Sequence, residues 1–108
     1  MALSRDFRET VLERAKCDEA YRKALLEEAF TALLEGDAVA ARECLKMVVN
    51  ATIGFKELEQ STNTPDKSLQ RMLGPKGNPS LDKIALILKV LQKSLNLQPE
   101  VSLKTAVH

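Results

Sequence analysis

An all-α fold of five or six helices is predicted from three observations. Gly and Pro number 4 each in 108 residues, aromatic side chains make up 4%, and the apolar residues recur at intervals of three and four instead of alternating. Alternating runs of Val, Ile and Thr, the usual material of strands, are few. With 44% apolar and 29% charged residues the composition is that of a folding chain, and its length suits one hydrophobic core.

The first helix is expected to start at Asp6, where Asp6 and Glu9 have the spacing of a capping box, and to fade near Lys16. Phe7 and Val11 give it one apolar edge. A longer helix follows from Asp18 to Leu34, with Tyr21, Ala24, Leu25, Ala29, Ala32 and Leu33 at helical spacing. Gly36 stops it, because glycine adopts the left-handed C-terminal conformation at little steric cost, and Asp37 can cap the next helix. That third helix runs to about Asn50, its inner stripe built from Ala41, Leu45 and Val48 with Ala40, Cys44 and Met47 beside them. Cys44 therefore reads as a small core residue, and Cys17 falls between helices.

From Gly54 the pattern changes to two short helical pieces, Phe55 to Thr62 and Pro65 to Leu73, separated by Asn63 and Thr64 alone. Asn tolerates positive φ, and Pro suits a first helical turn because its missing N–H has no partner there. The pair is expected to be a helix-turn-helix. Residues 74 to 79, Gly-Pro-Lys-Gly-Asn-Pro, form a loop, after which Ser80 caps a last helix carrying Ile84, Ile87, Leu88, Leu91 and Leu95 on one face. No internal repeat or low-complexity tract interrupts this order. The expected organisation is a single helical domain over 1–108, with N-terminal helices in 1–49, the helix-turn-helix region in 50–97 and a tail in 98–108.

Net charge is +1, yet its distribution is uneven. Residues 1 to 49 hold 8 basic and 10 acidic groups, net −2, whereas residues 50 to 93 hold 7 basic and 4 acidic, net +3. At 100° per residue with Leu69 inward, Pro65, Leu69, Met72 and Leu73 of the second short helix face the core, while Lys67 and Arg71 point outward, flanked by Gln70 and Ser68. Those four side chains match the chemistry of base edges. Arg and Lys donate to guanine, Gln pairs with adenine, and Ser reaches a base or phosphate. In the docking geometry of such motifs the second helix enters the major groove. Lys56 and Lys76 flank it, and the Gly-Pro-Lys-Gly-Asn loop, with the amide of Asn78, suits a phosphate. Thr64 and Lys76 are the expected phosphate holders.

Two longer motifs carry a resemblance. Asn50-Ala51-Thr52-Ile53-Gly54-Phe55-Lys56-Glu57-Leu58 and the run from Lys67 through Ser68-Leu69-Gln70-Arg71-Met72-Leu73 to Gly77-Asn78-Pro79 resemble the addiction-module antidote family. Upstream, Tyr21 to Leu34, Gly36-Asp37 and Ala40 to Val49 are similar too. These small antitoxin-type regulators resemble the Cro and phage-repressor class of helix-turn-helix proteins. The resemblance implies a cytoplasmic homodimer that binds a palindromic double-stranded DNA operator, represses its own operon and stands beside a small RelE-type toxin. Protein contact with such a toxin, without specific DNA binding, is the alternative. Two positions depart from the family pattern. Asn63 replaces a common Gly at small cost, and Glu59 stands where Ala is usual, so that either the packing there is looser or Glu59 finds a cation such as Lys67 or Arg71. The tail from Leu95 onward retains Leu97, Val101 and Leu103, which could form a dimer surface or fold back on the core.

Other chemistries find little support. The longest aliphatic stretch, Ile84 to Leu88, is five residues, where a membrane span needs about 20. The first sixteen residues carry charges where a secretory leader needs an apolar run, so a soluble, unexported protein is expected. Two cysteines and the single His108 are too few for a disulfide framework or a Cys/His metal cluster. Glu27 and Glu28 are adjacent on a helix and diverge by about 100°, so they make a solvated face and not an acid/base pair. No nucleophile stands in a plausible pattern with a base, and neither enzyme activity nor a cofactor is expected.

Overall fold

The starts of three helices trace to local side-chain caps. The computed structural model describes residues 5–107, with side chains from Glu9 to Val107. The Asp6 cap and the Phe7 edge lie outside the described side chains, and His108 lies outside the described residues. Among the described residues there are six α-helices and no strand: α1 (Arg5–Cys17), α2 (Glu19–Leu34), α3 (Ala38–Ala51), α4 (Gly54–Thr62), α5 (Asp66–Met72) and α6 (Leu81–Leu95). Asp18, Asp37 and Ser80 each accept a hydrogen bond from the backbone N–H three residues on, at 3.1, 3.1 and 3.2 Å. These are the N-terminal donors that a helix cannot satisfy internally. Gly36 takes φ +83° after α2, while Asn63 after α4 and Asn96 after α6 take φ 52° and 55°.

The corner between α1 and α2 has a further fastening. Arg22 donates to the carbonyls of Ala15 and Lys16 at the end of α1, at 2.9 and 3.2 Å. A cation at the carbonyl end of a helix also opposes its dipole favourably. Arg14 lies 4.5 Å from the centroid of the Tyr21 ring and 3.9 Å from the Asp18 carboxylate, across the same corner.

α2 and α3 pack along one another, α1 crosses both, and α4 bridges α3 to α5 and α6. One buried cluster takes residues from all six helices: Val11 and Ala15 from α1, Leu25, Leu26 and Ala29 from α2, Leu45, Val48, Val49 and Ala51 from α3, Phe55 and Leu58 from α4, Leu69 from α5, and Ile84, Ile87 and Leu91 from α6. Burying each leucine or isoleucine is worth roughly 1.5–3 kcal/mol. In α2 the stripe is shifted from the expected one: Leu26 is buried and Ala24 is exposed. Cys44 is half-buried at the core margin. Its thiol is pushed up by burial and by the negative charges of Glu28, Glu43 and Asp37, which disfavours the thiolate. No helix among the described residues is long and apolar enough to cross a membrane.

Candidate nucleic-acid interface

α5 has seven residues, too few to persist alone in water, so its position depends on what holds it. Leu69 is fully buried and Leu73, at its C-cap, is 1% exposed, with Met72 half-buried beside them. Lys67, Gln70 and Arg71 are exposed on the opposite side and Ser68 is intermediate at its edge. Pro65 differs from expectation: it is exposed, because it occupies the N-cap with extended ψ of 140° and the helical angle does not extend back to it.

Glu59 caps α5 from the preceding helix. Pro65 has no side-chain hydrogen-bonding group, and the Asp66 N–H instead donates to Glu59 Oε1 at 2.7 Å. Glu59 therefore does not reach Lys67 or Arg71; its carboxylate complements the positive end of α5 and ties α4 to it. Replacing a cap acceptor costs about 0.5–2 kcal/mol. Glu59→Ala is expected to lower the unfolding free energy by that amount, and Glu59→Gln, which keeps an acceptor, by less, both read from urea midpoints.

The turn is braced from outside the pair. Thr64 is 6% exposed, and its hydroxyl donates to the Thr62 carbonyl at 3.2 Å while accepting from Lys83 Nζ of α6 at 2.7 Å. With both hydrogen-bonding roles used internally, Thr64 does not stand on the outer surface, and the expectation that it grips a phosphate gives way to a structural role. After α5, Arg42 of α3 donates to the carbonyls of Gly74 and Pro75 at 3.2 and 3.3 Å. Arg42 and Lys83 went unnoticed in the sequence because their partners are 32 and 19 residues away and no local pattern signals such pairs.

The bracing divides the cations of this region into two groups. Arg42 and Lys83 are engaged internally, and exposed Lys56 lies 3.5 Å from the Asp66 carboxylate, which also accepts from Gln70 Nε2 at 3.0 Å. Lys67, Arg71 and Lys76 are exposed, and among the described residues their side chains have no ion pair or hydrogen bond. Asn78 is exposed in the same loop as Lys76. The result is a surface with three uncommitted cations around α5 and two carboxylates at its start, Asp66 beside Lys56 and Glu59 bonded to the Asp66 N–H. Gln70 spends one amide N–H on Asp66 and keeps its second N–H and its Oε1 for another partner. Comparison of the chain with protein-family models, curated proteins and solved structures finds no match.

Proposed function

We propose that this protein is a sequence-specific DNA-binding regulator of the Cro and phage-repressor type, with α5 as the helix that enters the major groove. Lys67, Ser68, Gln70 and Arg71 read base edges; Lys76 and Asn78 hold phosphate. One observation carries the reading: Lys67 and Arg71, one helical turn apart, stand exposed and uncommitted on the outer face of a short helix anchored by buried Leu69 and Leu73. Asp66 weakens the field at the start of α5, but its charge is partly offset by Lys56.

The antitoxin assignment, with repression of its own operon, a homodimer on a palindromic operator and a neighbouring RelE-type toxin, draws on the motifs around Asn50–Leu58 and Lys67–Pro79. An alternative reading keeps the toxin contact and drops the DNA. It is favoured by the net −2 charge of residues 1 to 49, which suits a basic partner.

The test is binding of the DNA upstream of the protein's own gene at two salt concentrations. A protein neutralising Z phosphates shows a log–log salt slope of about −0.9Z, whereas under the alternative reading that DNA is not bound specifically at either salt concentration. Lys67→Ala and Arg71→Ala are each expected to cost about 1–3 kcal/mol of specific affinity, a loss of roughly fivefold to 150-fold, and to reduce the slope by about 1 where the contact is to phosphate. Unchanged affinity in both variants defeats the groove assignment. Co-purification with the product of the adjacent gene tests the antitoxin assignment separately.

A further inference from the structure

Asp66, the first residue of α5, is tied to both helices of the pair. Its Oδ1 accepts from Gln70 Nε2 at 3.0 Å, its Oδ2 lies 3.5 Å from Lys56 Nζ, and its N–H donates to Glu59 Oε1 at 2.7 Å. The Asp66 side chain is only 16% exposed, although Lys56 and Gln70 stand in solvent. An ionised carboxylate accepts and does not donate, so the Gln70 amide must turn its NH2 group toward Asp66 and not its Oε1. The same bond draws the amide toward the first turn of α5, since residues four apart share a helix face and long side chains lean toward the N-terminus. No other hydrogen bond engages the Gln70 amide among the described residues.

We propose that Asp66 is a positioning residue that sets the base preference of Gln70, restricting it to adenine over guanine. This role rests on the operator reading and deepens it. A free glutamine amide offers two N–H donors and an acceptor oxygen. In the major groove guanine shows two acceptors, N7 and O6, which two donors can meet, whereas adenine shows one acceptor, N7, and one donor, its N6 amino group. With one N–H spent on Asp66, Gln70 retains one donor and Oε1. That pair is the complement of adenine and one donor short of guanine, where Oε1 would face O6, acceptor against acceptor. Asp66 acts through Gln70 and touches no base. Its place at the start of α5 suits the task, because the N-terminal residues of the second helix are the ones that reach base edges in this docking geometry. Lys56 beside Oδ2 offsets part of the charge that a carboxylate brings near phosphate.

The test is binding of the full chain to the DNA upstream of its own gene, with each A·T pair of the bound site changed in turn to G·C, for the wild type, Gln70→Ala, Asp66→Ala and Asp66→Asn. The pair read by Gln70 is the one whose preference Gln70→Ala abolishes. There the wild type is expected to favour A·T by about fivefold to 150-fold. Asp66→Ala releases the amide and is expected to narrow that preference by about two- to tenfold, with preferences at the other pairs unchanged. Asp66→Asn keeps an acceptor for Gln70 and is expected to retain the preference. Both changes at Asp66 remove a negative charge, so affinity for unrelated duplex should rise, a gain that a damaged fold would not give. An Asp66→Ala protein with the wild-type preference at the Gln70 pair overturns the proposal and leaves the operator reading intact. So does a Gln70→Ala protein that keeps every preference, a Gln70 pair at which G·C is favoured, or an Asp66→Asn protein that loses as much as Asp66→Ala. Loss spread over every pair, or accompanied by a fall in affinity for unrelated duplex, assigns Asp66 to the fold alone and likewise overturns it. A wild type that binds all duplexes alike defeats the operator reading itself, and the role of Asp66 with it.

Discussion

Leu69→Ala is expected to destabilise the protein by roughly 2–5 kcal/mol, a large share of the total for a domain of this size. Leu69 is fully buried, and it is the only buried residue within α5 itself. Truncation removes its transfer energy and leaves a cavity that seven helical residues, fixed by Glu59 at one end and by the Arg42-held loop at the other, have little freedom to close. The urea midpoint should fall while the denaturant slope stays constant. Leu34→Ala is the matching control: the same atoms leave an exposed position, and the expected change is within about 0.5 kcal/mol. Equal effects of the two changes would mean that α5 is not anchored as described.

Gly77→Ala is expected to be nearly as costly, at about 3 kcal/mol, for a reason unrelated to backbone dihedrals. A Cβ at Gly77 would overlap the Met72 carbonyl and lie 2.8 Å from the Arg71 carbonyl oxygen. These are backbone atoms at the end of α5, so no rotamer change relieves the clash; either the loop or the helix must move. Gly36 makes the contrast. Its φ is +83° and nothing lies within 4 Å of its missing Cβ, so Gly36→Ala meets only conformational strain of about 1–2 kcal/mol. If Gly77→Ala unfolds at the same urea concentration as the wild type, the loop does not pack on α5. Because Lys76 and Asn78 flank Gly77, any loop displacement should also be felt by a phosphate held there.

Most of the helical architecture could be read from neighbouring residues. Asp18, Asp37 and Ser80 act on N–H groups three positions away, Gly36 and Asn63 set single dihedrals, and the periodic leucines and isoleucines of α3 and α6 choose the inner face. These interactions span at most a turn or so of chain, so composition and spacing carry them. The outward placement of Lys67 and Arg71 followed from the same periodicity once Leu69 was taken as inward.

What reaches across the chain did not follow. Thr64 looked like a turn hydroxyl available to a phosphate until Lys83, arriving from α6, buried it; Glu59 looked like a misplaced charge until the seven-residue gap to Asp66 closed; and Gly77 looked like ordinary turn chemistry until the loop folded back against Met72. Local order sets where helices begin, end and turn their apolar sides, because the energies involved act between residues already adjacent. Which donors meet which acceptors at the α4–α5 corner depends on how whole helices come to rest together, and that is fixed only when the shared core closes.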